Sequence, residues 1–193
     1  MHKGRIEAFS DGVIAIIITI MVLEMKVPHG TGLADLRPLL PVFFSYVLSF
    51  VYVGIYWNNH HHLLQAAKHV RGSVLWANLH LLFWLSLFPF VTGWMGENHF
   101  AAVTVSVYGA VLLMAALAYF ILVRALLACH GPDSPLARAM GRDFKGKISV
   151  VLYGVGILLA CYLPWPAVAL YASVATLWLV PDRRIERTID SAP

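Results

Sequence analysis

Apolar runs of bilayer length recur six times in this chain, at residues 6–27, 38–64, 73–96, 101–128, 146–163 and 166–181. Each is close to the roughly 20 residues with which an α-helix crosses a hydrocarbon core. The pattern predicts an all-α integral membrane protein, one six-helix transmembrane domain over residues 1–193, with the last two helices the shortest. Composition agrees: 60% of residues are hydrophobic and 12% charged, about half the charged share of a soluble domain. A surface so poor in charge must face lipid.

Basic residues set the expected orientation. With the N-terminus inside, Lys3, Arg5, Lys68, Arg71, Arg124, Arg138, Arg142, Lys145, Lys147, Arg183, Arg184 and Arg187 all fall on the inner side, and only Lys26 and Arg37 outside. Basic residues concentrate in cytoplasmic segments, so both termini are expected in the cytoplasm of a multi-pass protein of the cell (inner) membrane. The net charge of +4 is then explained by topology and contact with anionic membrane lipids, with no nucleic acid needed. Cys129 and Cys161 fall at opposite ends of the bundle, too far apart for a disulfide.

The stretch RIEAFSDGVIAIIITIMVLEMKV, Arg5 to Val27, holds most of the functional information. Gly12 to Leu23 is free of charge, yet Glu7 and Asp11 stand at its entrance. Ionisable residues at such depth are costly and point to function. They also interrupt the run, and no small-x-small cleavage site follows, so it reads as a retained helix and not as a signal peptide. At about 100° per residue, Ile16, Ile20 and Leu23 share an arc of roughly 60° with Thr19 at its edge, while Ser10 and Asp11 point elsewhere. That stripe either packs against a neighbour or lines something. The Thr19 hydroxyl either serves an ion or bonds back to the Ala15 carbonyl, as hydroxyls in helices do.

The second run ends in Tyr56-Trp57-Asn58-Asn59-His60-His61-His62. Consecutive helical residues are rotated about 100° apart, so three adjacent histidines cannot converge on one metal ion. Depth suggests another use. Asp11, His60 to His62, Trp76, Asn78 and His80 all fall near the inner side, and polar groups in lipid must satisfy one another. We expect a hydrogen-bond network among Ser10, Asp11 and these residues that holds the first helix, with Arg5 pairing near the inner interface. Pro89 predicts a kink in the third helix, and the loop between the fourth and fifth allows a short surface helix over 136–144.

The Arg5-x-x-x-Phe9-Ser10-Asp11 spacing, with the histidine-rich end of the second helix and the Trp76, Asn78, Ser86 and Pro89 pattern of the third, resembles the transmembrane protein 175 family of potassium channels. The resemblance implies a homotetramer in which the first helices line a central pore. It assigns the narrowest apolar ring to Ile16, outer apolar positions to Ile20 and Leu23, and a polar position used in ion selection to Thr19. The permeant ion would be potassium, preferred modestly over sodium in a leak-like conductance, with no further cofactor or metal.

Other classes make different demands. A proton- or cation-coupled secondary transporter would show repeats and broken helices around a midplane site, whereas the middle of each run here reads as apolar. An enzyme would need a converging acid, base or nucleophile; beyond the histidine cluster and its two neighbouring carboxylates no such set is visible, so no enzymatic activity is expected.

Overall fold

A computed structural model describes residues 3–131, 134, 136–137 and 144–179. Most of the surface helix expected over 136–144, the end of the sixth run at 180–181 and the tail over 182–193 lie outside the described residues. The elements are α1 (Lys3–Leu23), a 3-10 helix (Leu33–Leu39), α2 (Leu40–Gln65), α3 (Gly72–Ser86), α4 (Phe88–Glu97), α5 (Ala102–His130), α6 (Phe144–Ala160) and α7 (Pro164–Leu179). No strand occurs among the described residues.

Counting α3 and α4 as one broken pass gives six helical passes. Four segments, Lys3–Leu23, Leu33–Gln65, Gly72–Glu97 and Ala102–His130, are long and apolar enough to cross a membrane. The other two, α6 and α7, have 17 and 16 residues and reach about 24–26 Å at 1.5 Å per residue, a little less than the ~30 Å core.

Local chemistry explains where the elements depart from the hydropathy runs. The first helix stops at Leu23, before the charges of Glu24 and Lys26 and before Pro28. The Pro- and Gly-containing stretch over 28–37 tightens into the 3-10 helix, where the Gly32 amide donates to Asp35 Oδ2 at 2.9 Å. Pro38 lies inside that helix, and Pro41 falls in the first turn of α2, where a missing N–H costs little. The kink expected at Pro89 is a full break. Leu87 caps α3 through i−3 bonding to Trp84 and opens α4, whose second residue is Pro89. The proline ring excludes the carbonyl four residues back, so the ladder ends there and restarts.

Packing centres on α5, which touches α3, α4, α6 and α7; α2 packs on α4 and α7, and α1 lies outermost, against α2, α3 and α4. The approach of α2 to α4 requires Gly96, since a Cβ there would come within 2.6 Å of the Val42 Cα. Backbone cannot yield as a flexible side chain can. Gly109 and Gly156 similarly make room for the Tyr171 ring, which a Cβ at either position would strike. Tyr52, Tyr108, Tyr153 and Tyr171 form a contiguous buried ring cluster around it, and the Tyr52 hydroxyl donates to the Tyr171 carbonyl at 2.6 Å.

Candidate functional site

Helix α1 is buried along one stripe only. Ile6, Ser10, Ile14, Ile17 and Met21 face the bundle; this i, i+4, i+8, i+11, i+15 spacing follows one side of a 3.6-residue helix. The stripe rotated about 120° away is bare in the subunit: Phe9 is 54% exposed, Ile16 58%, Ile20 39% and Leu23 79%, and Thr19 is exposed beside them. The four residues assigned by resemblance to a pore thus lie together on the uncovered side.

The Thr19 hydroxyl donates to the carbonyl of Ile16 at 2.9 Å, a bond one residue away from the Ala15 carbonyl expected. That bond consumes the hydroxyl hydrogen and leaves oxygen lone pairs free. Intrahelical bonding and cation ligation are therefore compatible at this position, not exclusive.

On the buried stripe, a three-helix polar bridge fixes α1. Asn78 on α3 donates through Nδ2 to Ser10 Oγ at 2.9 Å and meets His60 Nε2 on α2 at 2.7 Å through Oδ1. All three side chains are essentially inaccessible. With the Asn78 oxygen accepting, His60 carries its hydrogen on Nε2, and its buried Nδ1 has no partner.

A second device runs along the α1–α2 edge. Lys3 Nζ donates to the Gln65 carbonyl at 3.2 Å, Glu7 Oε1 stands 3.4 Å from His61 Nδ1, and Asp11 Oδ1 accepts from Trp57 Nε1 at 3.0 Å. Each step of four residues up α1 matches four residues down α2, as an antiparallel pair requires. The rungs repeat at helical spacing, and the Trp57 and His61 rings stack on each other.

Other expected members lie elsewhere. Trp76 is 76% exposed. His80 accepts from Trp84 Nε1 of its own helix at 3.0 Å and makes no hydrogen bond to α1 among the described residues. His62 keeps a buried Nδ1 without a partner, and Arg5 is exposed and forms no ion pair among the described residues. Trp57 and Glu7 take the places beside Asp11 and His61. The i, i+4 spacing of Glu7 and Asp11 against that of Trp57 and His61 was the available signal. No group of three His, Cys, Asp or Glu side chains among the described residues could hold a metal ion.

Further along the helices, toward the Leu23 end of α1, the bundle interior is less apolar than its hydropathy indicates. Thr92 on α4 donates to Ser49 on α2 at 2.6 Å, and Ser49 bonds the Tyr108 hydroxyl of α5 at 3.0 Å. Isolated hydroxyls in an apolar run barely alter its mean hydropathy, so this chain was not visible as a feature. At the far end, Lys26 Nζ donates to Glu97 Oε1 at 2.7 Å. This hydrogen bond and the carboxylate charge hold the lysine above its ordinary pKa.

The architecture defines a polytopic α-helical membrane protein whose first helix is braced on one side and bare on the other. The family model described as the endosomal/lysosomal potassium channel TMEM175 matches residues 5–89. A potassium channel of Chryseobacterium sp. (strain P1-3) is 56% identical over 189 residues, 98% of each chain. A potassium channel of Streptomyces collinus is 36% identical over 126 residues, 61% of each chain. The crystal structure of a lysosomal potassium-selective channel TMEM175 homologue from Chamaesiphon minutus superposes with a TM-score of 0.78 at 30% identity, covering 92% of this chain and 96% of that one. The chain belongs to the TMEM175 family. Its relatives are named as channels and not as enzymes.

Proposed function

We propose that this protein is a potassium-selective cation channel of the cell membrane, assembled as a homotetramer around four copies of α1, with both termini in the cytoplasm. The carrying observation is the one-sided burial of α1, which leaves Ile16, Thr19, Ile20 and Leu23 as a continuous uncovered stripe. The names of the relatives support the ion, and the placement of basic residues supports the orientation.

No Thr-Val-Gly-Tyr-Gly segment occurs in the sequence, so a carbonyl filter of that kind is not the source of selectivity. Four Ile16 side chains facing one another would form a dry ring that blocks ions by dewetting when narrow. Widened, it would pass cations that keep part of their water, with the Thr19 oxygens as ligands one turn further along. Potassium sheds water more readily than sodium, so the preference is modest and the conductance leak-like.

The experiment is a reversal-potential measurement on the purified protein in planar bilayers under opposed potassium and sodium gradients. A reversal potential displaced toward that of potassium supports the reading. Flux that saturates and requires a co-transported ion would favour coupled transport instead.

A further inference from the structure

A cavity of about 260 Å³ opens between α2, α5, α6 and α7, on the side of the subunit away from α1. We propose that it holds one acyl chain of an anionic membrane phospholipid, with the phosphate at Lys147.

The walls are mostly apolar. Tyr52, Tyr56 and Tyr153 close the deep end, and Ala116, Val150 and Phe120 line the sides. Several polar atoms of the lining are engaged within the protein. Trp178 Nε1 donates to Ser149 Oγ at 2.9 Å, Ser149 donates to the Lys145 carbonyl at 2.8 Å, and Asn59 Nδ2 donates to the Ile55 carbonyl at 2.9 Å. What remains for an occupant is mostly hydrocarbon surface, which favours an apolar chain over a polar molecule.

The mouth has the opposite character. Lys147, in the first turn of α6, is exposed and is the one charged residue of the lining among the described residues, which contribute no carboxylate there. It makes no ion pair among the described residues. It also stands at the end of the bundle that gathers Lys3, Arg5, Lys68, Arg71 and Arg124, the level at which a lipid phosphate resides. Basic pockets between transmembrane helices bind anionic head groups in this way. An apolar slot with a cation at its rim therefore complements an amphiphile with a negative head and a hydrocarbon tail. Its volume, below that of most drug-sized sites, leaves no room for two chains. Phe120, partly exposed, forms the outer wall toward the surrounding lipid.

The test is native mass spectrometry of the full-length protein released from nanodiscs of equimolar phosphatidylglycerol and phosphatidylcholine, with lipid retained per subunit as the readout. Wild type should retain phosphatidylglycerol preferentially. Lys147→Gln should lower that preference about fivefold, the effect of one interfacial lysine, while Lys68→Gln, at a residue outside the lining, should leave it unchanged. Val150→Trp fills the slot and should abolish retention of both lipids. If that variant does not fold, Ala116→Leu, a smaller filling, should reduce retention in proportion. Equal preference in Lys147→Gln and wild type overturns the proposal. So does unchanged retention in the filled variants, or loss of oligomer in Val150→Trp with lipid retention intact, which would make the cavity a seat for a neighbouring subunit.

Discussion

Replacing Asn78 with leucine removes the centre of the bridge among α1, α2 and α3 while keeping the branch at Cγ, and a double-variant cycle separates the lost hydrogen bonds from the added bulk of the methyls. The Ser10 hydroxyl and the His60 Nε2–H both lose a buried partner. Each orphaned group costs about 1–3 kcal/mol, so the ceiling is about 6 kcal/mol for the two. Interhelical hydrogen bonds in membrane proteins average nearer 0.6 kcal/mol, because the unfolded helices also find partners in the membrane, which sets a floor of about 1 kcal/mol. His60 is closed off on every side, so water cannot stand in for Asn78, and we expect about 2 kcal/mol. The assay is reversible unfolding in mixed micelles, run as a cycle with Ser10→Ala and the double variant. A coupling of at least about 0.5 kcal/mol is expected for residues in direct contact. Loss below about 0.5 kcal/mol for Asn78→Leu, or full additivity of the two substitutions, would refute the view that this bridge braces α1.

Asp11→Ala removes the acceptor for Trp57 Nε1 and should reduce recovery of assembled protein on size-exclusion chromatography, whereas Asp11→Asn keeps an acceptor oxygen and should assemble close to wild type. Normal assembly of Asp11→Ala with altered selectivity would instead place Asp11 in the ion path. Gly96→Val pushes a branched side chain into the α2 backbone and should lower the unfolding free energy by an amount typical of overpacking, about 1–3 kcal/mol; an unchanged unfolding free energy would mean α2 and α4 can separate freely.

Hydropathy makes the passes of this fold legible because lipid imposes a length on every helix, and the bracing residues are partly legible because depth groups them. Depth does not give rotation. Asn78 and His80 sit at similar depth on α3, two positions apart and therefore about 160° apart around the axis; one joins the bridge and the other turns to Trp84. Trp57 is hard to place from sequence because its ring is apolar in bulk, yet its single N–H is what Asp11 accepts from. The break before Pro89 exceeds a kink because Leu87 takes up i−3 bonding there, a local choice the proline permits but does not dictate. The Thr92–Ser49–Tyr108 chain depends on which faces of three helices meet, and that information lies in tertiary packing.

The central claim is that the bare stripe of α1 lines the ion pathway. Single cysteines at Ile16, Thr19, Ile20 and Leu23, and separately at Ile14, Ile17 and Met21, in a Cys129→Ser, Cys161→Ser background, can be exposed to a positively charged thiol reagent during potassium current recording. The account predicts block at Leu23→Cys, Ile20→Cys and Thr19→Cys, slower block at Ile16→Cys where the ring is driest, and no effect at the three bundle-facing positions. Block at Ile14→Cys or Ile17→Cys with none on the bare stripe would contradict it.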